Sequence, residues 1–408
     1  MHNKIYLYDI LKYFILFIPI STVLGSFVLN SNLVLISLTI LFHIFVVPKK
    51  YLKDKWLIAA FSFLLLQIFS SLINEFNVDS LVRSISFAKF IFLALGMNIL
   101  FNYNHKNFLI FLRILFFVVV FVMFDASVQY FFGENIFGNP YRSERLSSIF
   151  GDEYIVGSFL CKMGFLISLI FLFKLKNFKY KNILLFLFLM TLLLIILITG
   201  DRMPSLLFLM GITVFYLFKG LKDYKNFLLI FLIYIICIVM FFSNPIVSKR
   251  FKEISHERYG LSKNFDIKNS QWGAHFLTAW EIFKDNPIVG VGSKNFRIES
   301  CLAKYEDIES SSAKKRCTTH PHNIILEILS EHGVLGMVLF LILIYFILKG
   351  IKLNYEHNIF FLVSLLICIW PIGTSGSIFT TVNGTFLWLN IGVLLYSKNK
   401  DFFINNKL

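Results

Sequence analysis

The chain has 408 residues, of which 57% are hydrophobic and 15% are charged, and its mean hydropathy is +0.73. A soluble globular protein of this length carries more charge and less apolar sequence, so the composition excludes that class. The formal net charge of +15 raises the question of nucleic-acid binding, which the position of the basic residues along the chain decides.

Apolar runs recur along nearly the whole chain, most of them near the roughly 20 residues that a helix needs to cross a bilayer. Helices are expected because a backbone in lipid must satisfy its own hydrogen bonds. The first run has no small-residue cleavage site and predicts a retained anchor. The predicted spans are residues 10–29, 31–47, 56–73, 84–101, 108–131, 155–173, 183–199, 203–218, 226–243, 334–348, 358–372 and 378–396. The sequence therefore predicts an all-α integral membrane protein with about twelve transmembrane helices.

Basic residues cluster in alternate connections between these spans. The clusters are Lys49, Lys50, Lys53 and Lys55; Lys106 and Arg113; Lys174, Lys176, Lys179 and Lys181; Lys219, Lys222 and Lys225; Lys349 and Lys352; and Lys398, Lys400 and Lys407. This alternation follows the positive-inside rule, and it predicts a multi-pass protein of a bacterial inner membrane with both termini in the cytoplasm. The basic charge then meets anionic lipid headgroups and implies no nucleic acid.

One long stretch has ordinary soluble composition, and the same rule places it in the periplasm. It divides the chain into residues 1–243 with the first predicted spans, a large and partly helical loop at residues 244–333, and residues 334–408 with the last spans and a cytoplasmic tail. Within the loop, residues 274–285 are predicted to form a helix with Phe276 and Trp280 on one side, which Asn286-Pro287 ends.

Cys301 and Cys317 both lie in this loop. A periplasmic location permits disulfides, so we predict a bridge between them. The chain-entropy model credits such a bridge with about 3 kcal/mol. Cys161, Cys237 and Cys368 lie in or beside apolar spans, where buried thiols are expected.

The most informative polar pattern is TTHPHNIILEILSEHGVLG, residues 318–336. Pro321 suits the first turn of a helix that Thr319 or His320 would cap, so His322 is predicted at a helix N-terminus. The positive end of the helix dipole disfavours an imidazolium and attracts phosphate. One turn therefore combines a neutral general base with a site for an anionic leaving group.

Two other interpretations of this pattern stay open. His320 and His322 could serve only to cap the helix, or they could bind zinc together with Glu327 or Glu331. A His-x-His pair without a third ligand at a defined spacing is a weak zinc signal.

Three further polar segments lie at the predicted external side. Arg202 in the turn TGDRMP, residues 199–204, is costly near lipid unless it is paired, so it indicates either a clamp on a diphosphate or an interfacial pair with Asp201. Arg145 begins RLSSIFGDE, which is either functional or a solvated rim of the bilayer. The segment NPIVGVGSKNFR, residues 286–297, carries glycines that alone are weak evidence for a phosphate loop.

Taken in this order and topology, these segments resemble the O-antigen ligase and polymerase superfamily. The matching pieces are the Thr-Gly-acid-Arg turn at 199–202, the Asn-Pro-x-x-Gly-x-Gly segment at 286–292, and the His-Asn-x-x-Leu-Glu…Gly-x-x-Gly signature at 322–336. The resemblance implies a fold like that of the C-type glycosyltransferases. It also implies a glycosyltransferase that needs no metal and no other cofactor. Its donor would be a glycan on undecaprenyl diphosphate, and in a ligase its acceptor would be a sugar hydroxyl of lipid A–core.

The family's catalytic histidine maps onto His322 and its membrane-edge arginine onto Arg202. A second family arginine usually precedes the Asn-Pro segment, but here that neighbourhood reads Ser270-Gln271-Trp272-Gly273-Ala274-His275, so Arg297, Arg258 or His275 is left to supply the cation. The expected substrate-binding residues are Arg297, Arg145, His275, His320, Asn323 and Glu327.

Three functions are compatible with this sequence: a ligase, a polymerase of the same glycan, and a polysaccharide transporter or flippase. Ligase and polymerase share the donor and differ in the acceptor, which no residue here reveals. A transporter is expected to carry charged or broken helices near the bilayer midplane, whereas the candidate chemistry lies at the outer rim and in the loop.

Overall fold

The computed structural model of the protein describes a large part of the chain. The described ranges are residues 2–73, 78–142, 144–174, 178–220, 224–253, 267–352, 356–373 and 376–398. Arg258, a candidate for the second cation, lies outside them, as do Lys176, Lys222, Lys400 and Lys407 of the predicted cytoplasmic clusters.

The described residues form helices and no strand. In chain order the helices are α1 (His2–Ser21), α2 (Ser26–Phe42), α3 (Lys49–Leu52), α4 (Lys55–Ile73), α5 (Val78–Ser86), α6 (Ala88–Tyr103), α7 (His105–Phe132), α8 (Val156–Lys174), α9 (Lys181–Ile198), α10 (Arg202–Lys219), α11 (Tyr224–Ser243), α12 (Pro245–Glu253), α13 (Gln271–Asp285), α14 (Phe296–Glu299), α15 (Ile324–Leu348), α16 (Glu356–Cys368) and α17 (Thr381–Lys398).

Every predicted span overlaps one of these helices. By length and composition, 7 helical segments of the described chain can cross a membrane, and these are Lys55–Ile73, Val78–Tyr103, His105–Phe132, Lys181–Ile198, Arg202–Lys219, Tyr224–Ser243 and Ile324–Leu348. Three shorter helices, α2, α8 and α16, are also apolar. The prediction of an all-helical membrane protein is confirmed, and about twelve crossings stays a prediction.

The predicted boundary near Asn30, between the first two spans, was wrong. The break lies at residues 22–25, where Gly25 adopts a φ of 103° that only glycine takes without strain. Asn30 lies inside α2 instead, where its side-chain oxygen accepts a hydrogen bond from Lys89 Nζ at 2.7 Å. The apolar helix α2 therefore runs without a break through Asn30, the position between the predicted spans 10–29 and 31–47.

Small residues bring the central helices close together. A Cβ added to Gly384 of α17 would lie 2.4 Å from the Phe90 ring of α6, and one added to Gly392 would lie 2.9 Å from Met97 Sδ. Lipid tails are as apolar as the helix surfaces, so the hydrophobic effect does not drive helices together in a bilayer. They associate through close packing of this kind instead. The close contact between α6 and α17 therefore fixes the position of the connection that leads into α17.

The helix predicted at residues 274–285 of the loop is α13. It begins three residues earlier than predicted. α13 begins at Gln271, where the side chain of the N-cap residue Ser270 accepts a hydrogen bond from Gly273 N at 2.9 Å. Its buried face is formed by small and polar residues, including Ala274, His275 and Ala279, whereas Trp280 is 44% exposed. The small side chains allow α13 to pack closely on α15, and Trp280 lies on the exposed side.

The structure joins Cys301 and Cys317 in a disulfide with the Cα atoms 4.6 Å apart. We therefore expect the protein, purified without reductant, to yield a linked peptide pair containing these two cysteines in non-reducing mass spectrometry. Cys161 and Cys368 are buried and unbridged, and they serve as the internal control because they should alkylate only after unfolding. Two alkylated thiols at Cys301 and Cys317 in the native protein would contradict the bridge.

Candidate functional site

The entry to α15 positions the predicted catalytic histidine. Asn323 is the N-cap residue, and its side-chain oxygen accepts hydrogen bonds from Ile325 N at 3.0 Å and Leu326 N at 3.1 Å. The prediction that Thr319 or His320 caps this helix, with Pro321 in its first turn, was therefore wrong. Asn is among the best N-cap residues and outcompetes residues further upstream. His322 lies immediately before the cap, in the left-handed region at φ 58°.

Three imidazoles and an indole surround each other at this point. The His322 ring lies 4.0 Å from the His320 ring, 5.3 Å from the His275 ring and 4.8 Å from the Trp272 ring, measured between centroids. His275 comes from α13, and its Nε2 is 2.9 Å from the Lys315 carbonyl oxygen. Within the described residues, no hydrogen bond engages the His322 ring, so its nitrogens are available to a substrate. Helix α13 and the α15 entry together build this cluster.

Burial keeps the central imidazole neutral. Removal from water, and then the charges of His320 and His275, lower the pKa of His322 to about 3. Burial also lowers the pKa of His275. His322 is therefore a neutral base at any pH near 7, as a proton acceptor must be before it acts.

This shift predicts an unusual pH profile for any reaction that uses His322 as its base. Because the pKa lies near 3 in the free protein, kcat/KM should not fall through an ordinary histidine limb as the pH drops from 7 to 5. A bound anion beside the imidazole stabilises the protonated form, so the acid limb of kcat should lie at higher pH than that of kcat/KM. Steady-state rates between pH 4.5 and 8 measure both. Coincident limbs near pH 6.5 would contradict the assigned environment.

A break inside α15 ties the Asn-Pro segment to the histidine turn. Gly333 adopts φ 64° and ψ −165°, which interrupts the helix and frees two pairs of backbone groups. Residues 287–292 replace both lost helical bonds. Val291 N donates to Ser330 O at 3.0 Å and Gly292 N to Glu331 O at 2.8 Å, while Val334 N donates to Pro287 O at 2.8 Å and Leu335 N to Ile288 O at 3.1 Å. The boundary drawn at residue 333 falls on this break.

Two glycines make this insertion possible. A Cβ on Gly290 would lie 2.3 Å from backbone atoms of Glu331 and His332, and one on Gly333 would lie 2.3 Å from the backbone of Ile288. Contacts under 3 Å are not tolerated by backbone atoms, which cannot swing aside as a side chain can. Gly290 and Gly333 are therefore required by the close contact between the segment 286–292 and α15.

A buried ion pair lies beneath the histidine turn. Lys294 Nζ is 3.4 Å from Glu327 Oε1 and also donates to Ser377 Oγ, while Lys294 N donates to Glu331 Oε2 at 2.9 Å. Lys294 and Glu327 are 6% and 1% exposed. Removing either partner would leave a buried charge, so Glu327 holds the site together from inside.

The predicted arginine turn, residues 199–204, is held by an ion pair between Asp201 and a residue outside the turn. Arg145 forms an ion pair with Oδ1 of Asp201. The other carboxylate oxygen of Asp201, Oδ2, accepts a hydrogen bond from Gly157 N at 3.1 Å. Arg145 also donates to the Tyr154 carbonyl oxygen at 2.8 Å. These contacts anchor the Arg145 segment and the residue immediately before Arg202, the first residue of α10.

The α16–α17 connection brings the arginine and histidine turns to the same end of the helix bundle. Asn323 Nδ2 donates to the Pro371 carbonyl oxygen at 2.9 Å. Two residues later, Gly373 lies against Met203, the neighbour of Arg202, with a Cβ position only 2.7 Å from the methionine methyl group. His322 and Arg202 thus flank one short segment, although they are far apart in the chain.

Serine hydroxyls join the other side of the site to α4 and α5. Ser84 Oγ donates to Ser293 Oγ at 2.6 Å, and Ser80 Oγ donates to Ser293 O at 2.9 Å and lies 2.8 Å from Ser71 Oγ. Ser70 Oγ donates to Val289 O at 2.6 Å. Helices α4 and α5 therefore carry part of the site, which the sequence motifs, all at or after residue 145, did not indicate.

Comparison with known proteins bears on the second half of this site. Residues 185–341 match the model of the O-antigen ligase family. The match supports the resemblance to the O-antigen ligase and polymerase superfamily over this segment. No curated protein matches the chain.

The matched segment contains Arg202, His322 and the Lys294–Glu327 pair, whereas Arg145 lies outside it. Members of the family are glycosyltransferase-like enzymes, and the family implies lipid-linked glycan substrates. In the part of the chain that the structure describes, no group of three His, Cys, Asp or Glu side chains is arranged to hold a metal ion.

Sequence reasoning missed several residues of the site. Lys294 was part of a quoted segment but had no assigned role, because its partner Glu327 lies 33 positions away. Gln67 and Arg83 of α4 and α5 line a cavity beside His320 together with Lys294 and Arg297. Only the polarity of Gln67 within an apolar span could have signalled this wall.

Proposed function

We propose that the protein is an O-antigen ligase of a bacterial inner membrane. It would transfer a polysaccharide from undecaprenyl diphosphate to a sugar hydroxyl of lipid A–core at the periplasmic face. The observation that carries the proposal is the neutral His322 ring beside the N-terminus of α15, at the same end of the bundle as Arg202. A reaction with a good leaving group needs an oriented base and a stabilised anion, and these two elements supply both.

The proposed step is a direct displacement at the anomeric carbon. The acceptor hydroxyl oxygen forms the new C–O bond while its proton passes to a nitrogen of His322. The bond from the anomeric carbon to the diphosphate oxygen breaks, and the diphosphate leaves with the electron pair. Arg202 and the positive end of the α15 helix dipole stabilise the departing charge. Orientation of two membrane-bound substrates provides much of the remaining acceleration.

The other predicted site residues divide into two groups under this proposal. Asn323, Glu327 and Arg145 make internal contacts to the α15 backbone, Lys294 and Asp201, so we assign them a positioning role. His275 and His320 maintain the neutral state of His322 through burial and proximity. Arg297 lines the cavity next to His320 and is our candidate for the family's second arginine.

Arg202→Lys should impair transfer although it keeps the positive charge. A lysine replaces a planar two-pronged donor by a point charge, and hydrogen bonds to charged groups contribute about 1.5–3 kcal/mol, so the rate should fall roughly tenfold to hundredfold. Arg202→Gln should fall further because it removes the charge as well. Transfer measured in proteoliposomes with purified donor and acceptor gives both values. Equal activity of Arg202→Lys and wild type would remove Arg202 from the diphosphate site.

A lipopolysaccharide gel of a deletion strain tests the ligase proposal against its relative, the polymerase. The family includes both enzymes, which share a lipid-linked donor. Bare core together with accumulated lipid-linked polymer is the expected result for a ligase. Core that carries a single repeat unit identifies a polymerase and would overturn the proposal. Complementation with wild type, but not with His322→Ala, is the control.

A further inference from the structure

A cavity of about 340 Å³ lies beside the histidine cluster, on the side of α4, α5 and α6. His320 lines it, and the His320 ring is 4.0 Å from the His322 ring. Phe87 and Phe379 form an apolar wall with ring centroids 5.7 Å apart. Its size falls within the roughly 300–1,000 Å³ of sites that hold small molecules, and polar groups on an apolar wall are typical of such sites.

The charge of this cavity is strongly positive. Arg83, Lys89, Lys294 and Arg297 line it, and none of the described lining residues is acidic. Lys294 is neutralised from behind by Glu327. Lys89 is held by neutral groups, Asn30 Oδ1 at 2.7 Å and Thr381 Oγ1 at 3.3 Å. Three cationic side chains are therefore left without a carboxylate on the cavity wall, which favours an anionic occupant.

Gln67 is a second, independent sign of a ligand. Its side chain is 1% exposed, lines the cavity, and has no hydrogen-bond partner at either amide atom. A buried amide without partners is costly and is normally satisfied. By contrast, the buried Gln129 is bonded at both amide atoms, to Ser147 N at 3.0 Å and to Asn139 O at 3.1 Å among others. An amide that can donate and accept matches a sugar hydroxyl.

We propose that this cavity binds a sugar that carries a phosphate or carboxylate group, and that in the transfer reaction this sugar belongs to the acceptor. The cations bind the anionic group, and Gln67 binds a ring hydroxyl. The second half of the proposal rests on the proposed function. The donor diphosphate is assigned there to Arg202, which adjoins the start of the α16–α17 connection, whereas Phe379, Thr380 and Thr381 at its end line the cavity. Because donor and acceptor must both lie beside the base, a separate binding site for each is required there.

Direct binding tests the first half without any transfer. The purified protein in detergent is titrated calorimetrically with glucose 6-phosphate, glucuronate, glucose and inorganic phosphate. We expect both anionic sugars to bind at least tenfold more tightly than glucose or phosphate alone, because they use both the cations and Gln67. Gln67→Leu and Arg83→Gln should each weaken the anionic sugars about tenfold, whereas Arg113→Gln, an exposed arginine of α7, should change nothing. Equal affinities for glucose and glucose 6-phosphate, or unchanged binding by Gln67→Leu, would overturn the site.

Stability measurements separate a binding role from a structural one. Gln67→Leu removes an amide that no protein group uses, so the apparent Tm of the variant should equal or exceed that of wild type. Gln129→Leu is the matched control, and it should lower the apparent Tm while leaving sugar binding intact in the folded fraction. A lower Tm for Gln67→Leu would show that the amide supports the fold and would overturn its assignment to a ligand.

Transfer kinetics test the assignment to the acceptor. In proteoliposomes, Gln67→Leu and Arg83→Gln should raise the acceptor KM about tenfold and leave the donor KM unchanged. A raised donor KM would overturn that assignment and place the donor in the cavity. Failure of the proposed function is distinguishable, because wild type would then show no transfer while the calorimetric binding of anionic sugars would persist.

Discussion

His322→Ala should yield a protein that inserts at near-normal abundance and transfers glycan roughly 10²–10⁴ times more slowly, the usual contribution of a positioned proton acceptor. The stability cost is small because the cap of α15 is Asn323 and not His322. Alanine must, however, occupy the left-handed φ of 58°, which costs about 1–2 kcal/mol. His322→Asn avoids most of that cost, since asparagine visits this region routinely, and it should be equally inactive.

Asn323→Ala is the matched control for this experiment. It removes the cap and should lower stability by about 0.5–2 kcal/mol, but Asn323 positions the base and does not replace it, so the remaining folded protein should lose much less of its transfer rate than His322→Asn. Quantitative transfer in proteoliposomes, normalised to folded protein, measures all three variants. If His322→Asn keeps most of the wild-type rate, or if chelators abolish wild-type transfer, His322 is not a metal-independent base.

Gly290→Ala should have the largest effect on the architecture of the site. The new methyl would lie 2.3 Å from backbone atoms of Glu331 and His332, and φ at this position is 67°. The left-handed φ and the overpacking together cost roughly 2–5 kcal/mol, so residues 287–292 should no longer insert into the break of α15. Transfer should then be lost, because the entry of α15 that carries His322 depends on this insertion.

The control for Gly290→Ala is Gly138→Ala. Gly138 has a similar φ of 78°, but nothing lies within 4 Å of its Cβ position, so only the backbone cost of about 1–2 kcal/mol applies. Limited proteolysis of the 286–292 segment and the apparent Tm in detergent compare the two variants. Equal shifts would show that packing against α15 contributes nothing at Gly290.

The sequence predicted the helices well because each apolar run near 20 residues has one stable conformation in lipid. It located helix ends less well. The boundary between the first two predicted spans fell at Asn30, which lies inside α2, where Lys89, 59 positions away, donates to its side chain. The sequence also did not indicate which face of α13 is buried, since close packing on α15 places Ala274 and Ala279 inside and leaves the larger Trp280 44% exposed.

The candidate site could be predicted only where its residues lie close together in the chain. His322 and its helix followed from a local pattern, whereas the pairing of Arg145 with Asp201 spans 56 positions. The cavity wall of Gln67 and Arg83 carries no local motif at all. The function of Gly290 and Gly333 as contact points between two backbones is visible only in the fold.

The inserted segment at the break of α15 also decides how substrates can enter. Lifting residues 287–292 away as a lid would leave Ser330 O, Glu331 O, Val334 N and Leu335 N without partners, together with the serine hydroxyls bound to Val289 and Ser293. Each unsatisfied buried group costs about 1–3 kcal/mol, so four backbone groups make such an opening too rare for turnover. This segment is therefore a fixed wall, and under the proposed function the substrates would have to reach His322 while the wall stays closed.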